Sequence, residues 1–217
     1  MLKIQVPQKN EGPLNVLFLG AHSDDIEIGC GGAVQRLIGE YPAIKITWVV
    51  FSAIGARGEE AKASAEEYLQ DVRQKQILVY DYKDGYFPYH WREIKDIFEQ
   101  LKRDLSPDLI FTHYRQDLHQ DHRTLNELTW NTWRDHFILE YEIPKYDGDL
   151  GTPNFFITLD ETLCARKTGA LMRYFQTQSN KHWFTPETFS ALMRIRGVEC
   201  KSPGGYAEAF YARKVSY

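Results

Sequence analysis

His22, Asp24 and Asp25 close the apolar run of VLFLGAHSDDIEIGCGG, and small residues come after them. Imidazoles and carboxylates are the side chains that bind divalent transition metals and move protons near neutral pH. In an extended backbone two adjacent aspartates point to opposite sides. One could then hold a metal while the other faces a water bound to it. Metal-assisted hydrolysis needs that division, because the metal lowers the pKa of water toward ~7 and a nearby carboxylate takes its proton. On spacing alone, either aspartate could be the base.

A second group, His113, Asp117, His119, Asp121 and His122, lies in PDLIFTHYRQDLHQDHR and offers the missing ligand. Two histidines and a carboxylate with one open position make a catalytic zinc site, since structural sites are closed by four protein ligands, mostly cysteine. A remaining histidine is free to protonate a leaving group or stabilise an oxyanion. Asp121 also suits a plain structural role, as N-cap of the next helix.

These groups must be carried by regular elements. Residues 15–21 read as a buried parallel strand, apolar at both parities. The glycines at 29, 31 and 32 read as a turn before a helix from about Ala33 to Glu40. Ile44 to Ala53 is a second strand, Glu59 to Gln70 a helix, and Gln76 to Asp81 a third strand. Asp84 to His90 is a turn and loop, and apolar residues at 94, 97, 98 and 101 predict a helix over 91–104, stopped by Ser106-Pro107. Leu109 to Thr112 is again a strand, succeeded by a helix from about Arg123 to Arg134. The last third is less regular, with strands near 154–158 and 207–213 and helices over 162–174 and 186–196.

This alternation predicts a Rossmann-like, doubly wound α/β fold, a mostly parallel sheet flanked by helices, in one domain spanning 1–217. In such sheets ligands bind beyond the carboxyl ends of the strands, where the strand order reverses. Both His/Asp groups fall at such ends, so they are expected to converge.

Composition narrows the class. With 217 residues, 43% hydrophobic and 14% aromatic, the chain can bury a sizeable core. Three dispersed cysteines without a CxxC pair argue for a reducing compartment. The first residues lack the apolar stretch of a signal peptide and no long apolar run occurs, so a cytoplasmic protein without an integral membrane segment is expected. A net charge of -4 offers no footprint for nucleic acid. The basic residues Arg194, Arg196, Lys201, Arg213 and Lys214 read as a solvated face, with contact to a charged substrate as the alternative. A homo-oligomer is compatible with all of this.

Other motifs fit less well. The glycines do not spell GxGxxG, and paired carboxylates would repel the anion that a phosphate cradle binds. A receiver domain leaves the second loop unexplained, and a non-haem iron oxygenase gives Asp24 no task.

AHSDDIEIGCGG resembles the AHPDDxE motif of the PIG-L/LmbE-like deacetylases, and HQDHR resembles their HxDH motif. The closing AEAF, Ala207 to Phe210, is similar to the family's late strand. The resemblance implies the LmbE-like fold and a zinc-dependent N-deacetylase acting on a small-molecule N-acetylamino sugar or conjugate, with ferrous iron as the alternative metal. Carried over residue by residue, it makes His22, Asp25 and His122 the metal ligands and Asp24 the general base. His119 becomes the residue that stabilises the oxyanion and protonates the leaving amine, and Asp121 the residue that orients or tunes it. Arg57, in an RxxE pattern with Glu60, resembles the family's substrate-contacting arginine. Ser23 stands where the motif usually has proline, a change that removes no ligand.

The expected reaction is therefore removal of an acetyl group by an activated water. The rivals are an amidase on a non-sugar amide using the same metal site, and an inert metal- or glycan-binding module. Aromatic residues of the loops at 84–91 and 178–185 are candidate sugar-stacking surfaces, with core packing as the alternative.

Overall fold

The computed structural model describes residues 12–215, and the polar lead-in before them lies outside the described residues. Among these, seven strands form one sheet: β1 (Leu14–His22), β2 (Ile44–Ser52), β3 (Gln74–Val79), β4 (Leu109–His113), β5 (Phe137–Tyr141), β6 (Phe155–Leu159) and β7 (Tyr206–Ala212). Their order is β3-β2-β1-β4-β5-β7-β6, parallel from β3 to β5, with β7 antiparallel to both β5 and β6. The helices are α1 (Asp25–Glu40), α2 (Ala56–Tyr68), α3 (Trp91–Asp104), α4 (Gln120–Thr132), α5 (Glu161–Tyr174) and α6 (Pro186–Glu199).

The unbroken apolar run of β1 is explained by burial on both faces. Val16 and Phe18 join Trp48, Phe111 and residues of α1, α2 and α5 on one side. Leu17 and Leu19 join Phe51, Ile110 and residues of α3 and α4 on the other. Helices therefore cover both faces, as the strand and helix alternation predicts. No helix among the described residues is long and apolar enough to cross a membrane.

From β1 the chain winds outward through β2 to β3, then crosses back to β4 on the opposite side of β1. Pairing between β1 and β4 spans only Val16–Phe18 against Leu109–Phe111. Beyond it the Ala21 N–H reaches the His113 Nε2 at 2.9 Å instead of a β4 carbonyl. The strand order reverses here, and a crevice opens at the carboxyl ends.

The first helix departs from the sequence reading. It begins at Asp25, directly off the strand, and the backbone at Asp24 is already in the helical region (φ -114, ψ -5). The two aspartates are thus N-cap and first residue of a helix and do not alternate across an extended strand. The glycine-rich stretch is a break inside α1, at Cys30 (φ -146, ψ 19). Glu208 of β7 restarts the helix, its carboxylate accepting from Gly32 N (2.8 Å) and Ala33 N (2.6 Å). Lys167 of α5 bonds the Ile28 carbonyl (2.5 Å) and pairs with Glu208 (2.6 Å). Gly29 is required by a close approach, since a Cβ there would lie 2.1 Å from the Tyr141 ring.

Other differences are smaller. α4 starts at Gln120 and α2 at Ala56, each three residues before the expected start, and β3 lies two residues before it. β5 was hidden by its acidic residue: Glu140 is fully buried and accepts from Trp130 Nε1 (2.6 Å) and Arg115 N (3.0 Å). The basic C-terminal residues are largely committed within the fold. Arg196 is buried against Glu142 at 2.7 Å and also bonds Glu199 at 2.9 Å. Arg213 and Lys214 lie over the Trp130 ring.

Candidate metal centre and catalytic crevice

His22 ends β1, Asp25 opens α1, and His122 lies in the first turn of α4, across the switch point. His22 Nδ1 is 3.2 Å from His122 Nε2 and 3.2 Å from Asp25 Oδ2, which is 3.5 Å from His122 Nε2. All three residues are buried. Tetrahedral ligands at about 2.0–2.2 Å from a zinc ion lie roughly 3.3–3.6 Å apart, so one N, N, O face of such a site is already formed.

Asp25, His113 and His122 also cluster, as do His22, His119 and His122. The lone pair of His113 Nε2 is taken by the Ala21 amide. His119 is the N-cap of α4, and its Nδ1 accepts from Asp121 N at 3.3 Å. Its ring lies 4.8 Å from that of His22 and 4.6 Å from that of His122.

Carboxylates fix the ring orientations. His122 Nδ1 meets Asp117 Oδ2 at 2.9 Å, and Lys145 reaches the same oxygen at 3.0 Å. His22 Nε2 meets Asp121 Oδ2 at 3.2 Å and Asp84 Oδ1 at 3.1 Å. Each ring would donate its outer N–H to a carboxylate and present its other nitrogen inward, the arrangement that raises ligand basicity in metal sites. The Asp121 carboxylate also accepts from Gly85 N (2.6 Å) and Phe87 N (3.1 Å). Its side-chain bonds therefore go to His22 and the 84–87 loop, and its contact with His119 runs through its backbone amide.

Carboxylates and imidazoles in this cluster shift one another's proton affinity. Burial opposes charge on His22, yet Asp25, Asp121 and Asp84 raise its pKa well above the usual imidazole range. Burial alone would raise the Asp25 carboxyl, but His122, His113 and His22 hold it well below the ordinary carboxylate range. Burial and the neighbouring His113 push His122 down to about 3, so it is neutral and its nitrogen is free to ligate. A positive charge at His22 is met by a proton or, in its place, by a divalent cation.

Asp24 is buried outside the donor set. Its pKa is raised by burial and by the adjacent Asp25 charge, which suits a proton acceptor. Burial and His22 lower the pKa of His119. Arg57, in the first turn of α2, places Nη2 3.6 Å from Asp24 Oδ1 and Nη1 3.1 Å from Asp84 Oδ2.

The sequence reading missed Asp84. It sits in an Asp-Gly turn that resembles any surface turn, and nothing in its neighbourhood of the chain announces a partner. Of the candidate stacking aromatics, Phe87 is core, Trp183 packs on Phe184 and Phe189, and Tyr86 and Tyr89 are exposed.

Residues 17–133 match the sequence profile of the PIG-L family, described as GlcNAc-PI de-N-acetylase. This covers more than half of the chain, which therefore belongs to that family. The fold recurs in the N,N'-diacetylchitobiose deacetylase of Pyrococcus horikoshii, with 21% identity, a TM-score of 0.71, and 92% of this chain and 83% of that chain covered. It recurs in GalB, a 4-carboxy-2-hydroxymuconate hydratase of Pseudomonas putida, with 17% identity, a TM-score of 0.69, and 94% and 97% covered. A zinc-inhibited form of the teicoplanin deacetylase Orf2 shares 13% identity with a TM-score of 0.69, with 91% and 97% covered.

Proposed function

We propose that this protein is a metal-dependent N-deacetylase that hydrolyses the acetamide of an N-acetylated amino sugar or sugar conjugate. One observation carries the reading: a buried carboxylate, Asp24, lies beside the three converging donors, and His119 stands next to them as the cap of α4. An inert binding module would need neither.

His22, Asp25 and His122 would hold the ion, zinc by preference for an N, N, O set and ferrous iron as the alternative. When bound, zinc supplies Lewis acidity that polarises the carbonyl and makes water easier to deprotonate. Asp24 takes the proton from the attacking water. His119 donates its Nε2–H to the oxyanion that develops on the acetyl carbonyl. As it passes a proton to the departing amine, the proton that Asp24 took from water is returned to it, so both residues regain their starting states. Asp121 holds His22 and the 84–87 loop, and so the wall of the crevice. Acetate and a free amino sugar leave.

The sugar is favoured over other amides by the pairing of Arg57 with Asp84 beside Asp24. A guanidinium and a carboxylate side by side offer one donor and one acceptor, which matches hydroxyl groups. Three buried, unpaired cysteines suit a reducing, cytoplasmic setting.

The test is acetate release by the zinc-loaded enzyme across a panel of N-acetylamino sugars, non-sugar acetamides and N-acyl amino acids. Asp24→Asn should lose about 10²- to 10⁴-fold in kcat while keeping its metal. Wild-type turnover in a folded, metal-loaded Asp24→Asn enzyme would remove Asp24 as base. Release from non-sugar amides alone would overturn the sugar reading.

A further inference from the structure

Ser23 lies between the end of β1 and the start of α1, and it is almost fully buried. Its hydroxyl oxygen accepts from Arg57 Nε at 3.1 Å, bridging β1 to α2. The rest of the guanidinium is distributed around the crevice. Nη1 donates to Asp84 Oδ2 at 3.1 Å, and Nη2 stops 3.6 Å from Asp24 Oδ1, beyond hydrogen-bond reach.

We propose that Ser23 is a positioning residue that sets substrate affinity by fixing the orientation of Arg57. The inference rests on the deacetylase reading above and adds to it a residue with no chemistry of its own. Arginine has a flexible stem and a rigid, planar fork. Fixing Nε from a buried backbone-proximal hydroxyl determines the plane of that fork. With Nε committed to Ser23 and Nη1 to Asp84, the outward N–H groups of Nη2 are aimed into the crevice beside the catalytic carboxylate. The other anchor, Asp84, is half-exposed and cannot fix the plane alone. A proline at this position, as in the motif that the chain resembles, offers no such acceptor. The hydroxyl is therefore a feature of this chain's own site.

The ligand contacted by this oriented fork is a hydroxyl or ring oxygen of the amino sugar, and its loss should appear in KM. Ser23→Ala and Ser23→Pro should each raise KM for the best N-acetylamino sugar about tenfold, the scale of one hydrogen bond to a charged group. The kcat should stay within about twofold, and the affinity for Co²⁺, read from its visible absorption, should be unchanged, because no ligand is touched. In an Arg57→Ala background, Ser23→Ala should add nothing, since its effect passes through Arg57. A KM for Ser23→Ala within about twofold of wild type, or an effect undiminished in Arg57→Ala, would overturn the proposal. A readout without substrate separates this from a failure of the deacetylase reading. The Arg57 Nε–H should exchange slowly with solvent by NMR in the wild type and quickly in Ser23→Ala, and equal exchange also overturns the assignment.

Discussion

Asp117 accepts from His122 Nδ1 at 2.9 Å, and this contact alone dictates which nitrogen of His122 faces the crevice. Lys145 braces the same carboxylate oxygen from behind. Asp117→Asn should weaken zinc or cobalt affinity about 10- to 100-fold, as loss of such outer partners does in metal sites. A competition titration against a chromophoric chelator checks this, and unchanged affinity would assign Asp117 to loop structure only.

Removing the cation should destabilise the fold as well as stop turnover. Asp25, Asp84 and Asp121 crowd around His22, and a bound divalent ion relieves their repulsion. Metal at about 100 times its Kd should add about 2.7 kcal/mol, or several degrees in Tm for a chain of this size. Thermal scans with chelator and with re-added zinc measure it.

Much of this architecture was legible in the sequence, and the illegible parts share a cause. The placement of His22, Asp24 and Asp25 could be found because an apolar run with no alternation means burial on both faces, and in a doubly wound sheet the residues just after such a strand lie at its carboxyl end. The restart of α1 could not be found. The glycines at 29 to 32 look like a loop until Glu208 and Lys167, distant in the chain, are seen to supply the bonds that the broken helix lacks. Asp84 and β5 were missed for the same reason: one joins His22 and Arg57 through space, and the other conceals a buried Glu140 whose partners are remote.

The Lys167–Glu208 pair should be among the most sensitive points of the fold. Lys167→Met removes the cation paired with the buried Glu208 and the Lys167 bond to the Ile28 carbonyl. Breaking a buried pair from one side costs about 3–5 kcal/mol, so Tm should fall by on the order of 10 °C. Urea unfolding of the variant gives the number, and a loss below about 1 kcal/mol would contradict the role assigned to the pair.

Glu27 predicts a pH dependence of stability. Burial raises its carboxyl from 4.5 to about 8, while Ser64 donates to it. Because the folded value lies above the unfolded one, its contribution is full below 4.5 and is lost as pH rises toward about 8. Glu27→Gln keeps a neutral group of the same shape, so its stability should vary less across that window and exceed that of wild type at the alkaline end. Unfolding midpoints at about pH 5 and about pH 9 decide it. Parallel curves for the two proteins would sink the assignment.

The division of the donor set across the switch point also bears on how the protein matures. His22 and His122 are 100 residues apart in sequence and touch only after the chain has wound out to β3 and crossed back to pair β4 with β1. A chain still emerging from the ribosome, or one cut before α4, carries His22 and Asp25 but lacks the third donor. With His22, Asp25 and His122 as the proposed ligands, metal uptake would act as a certificate of completed topology, granted only to chains whose crossover has closed.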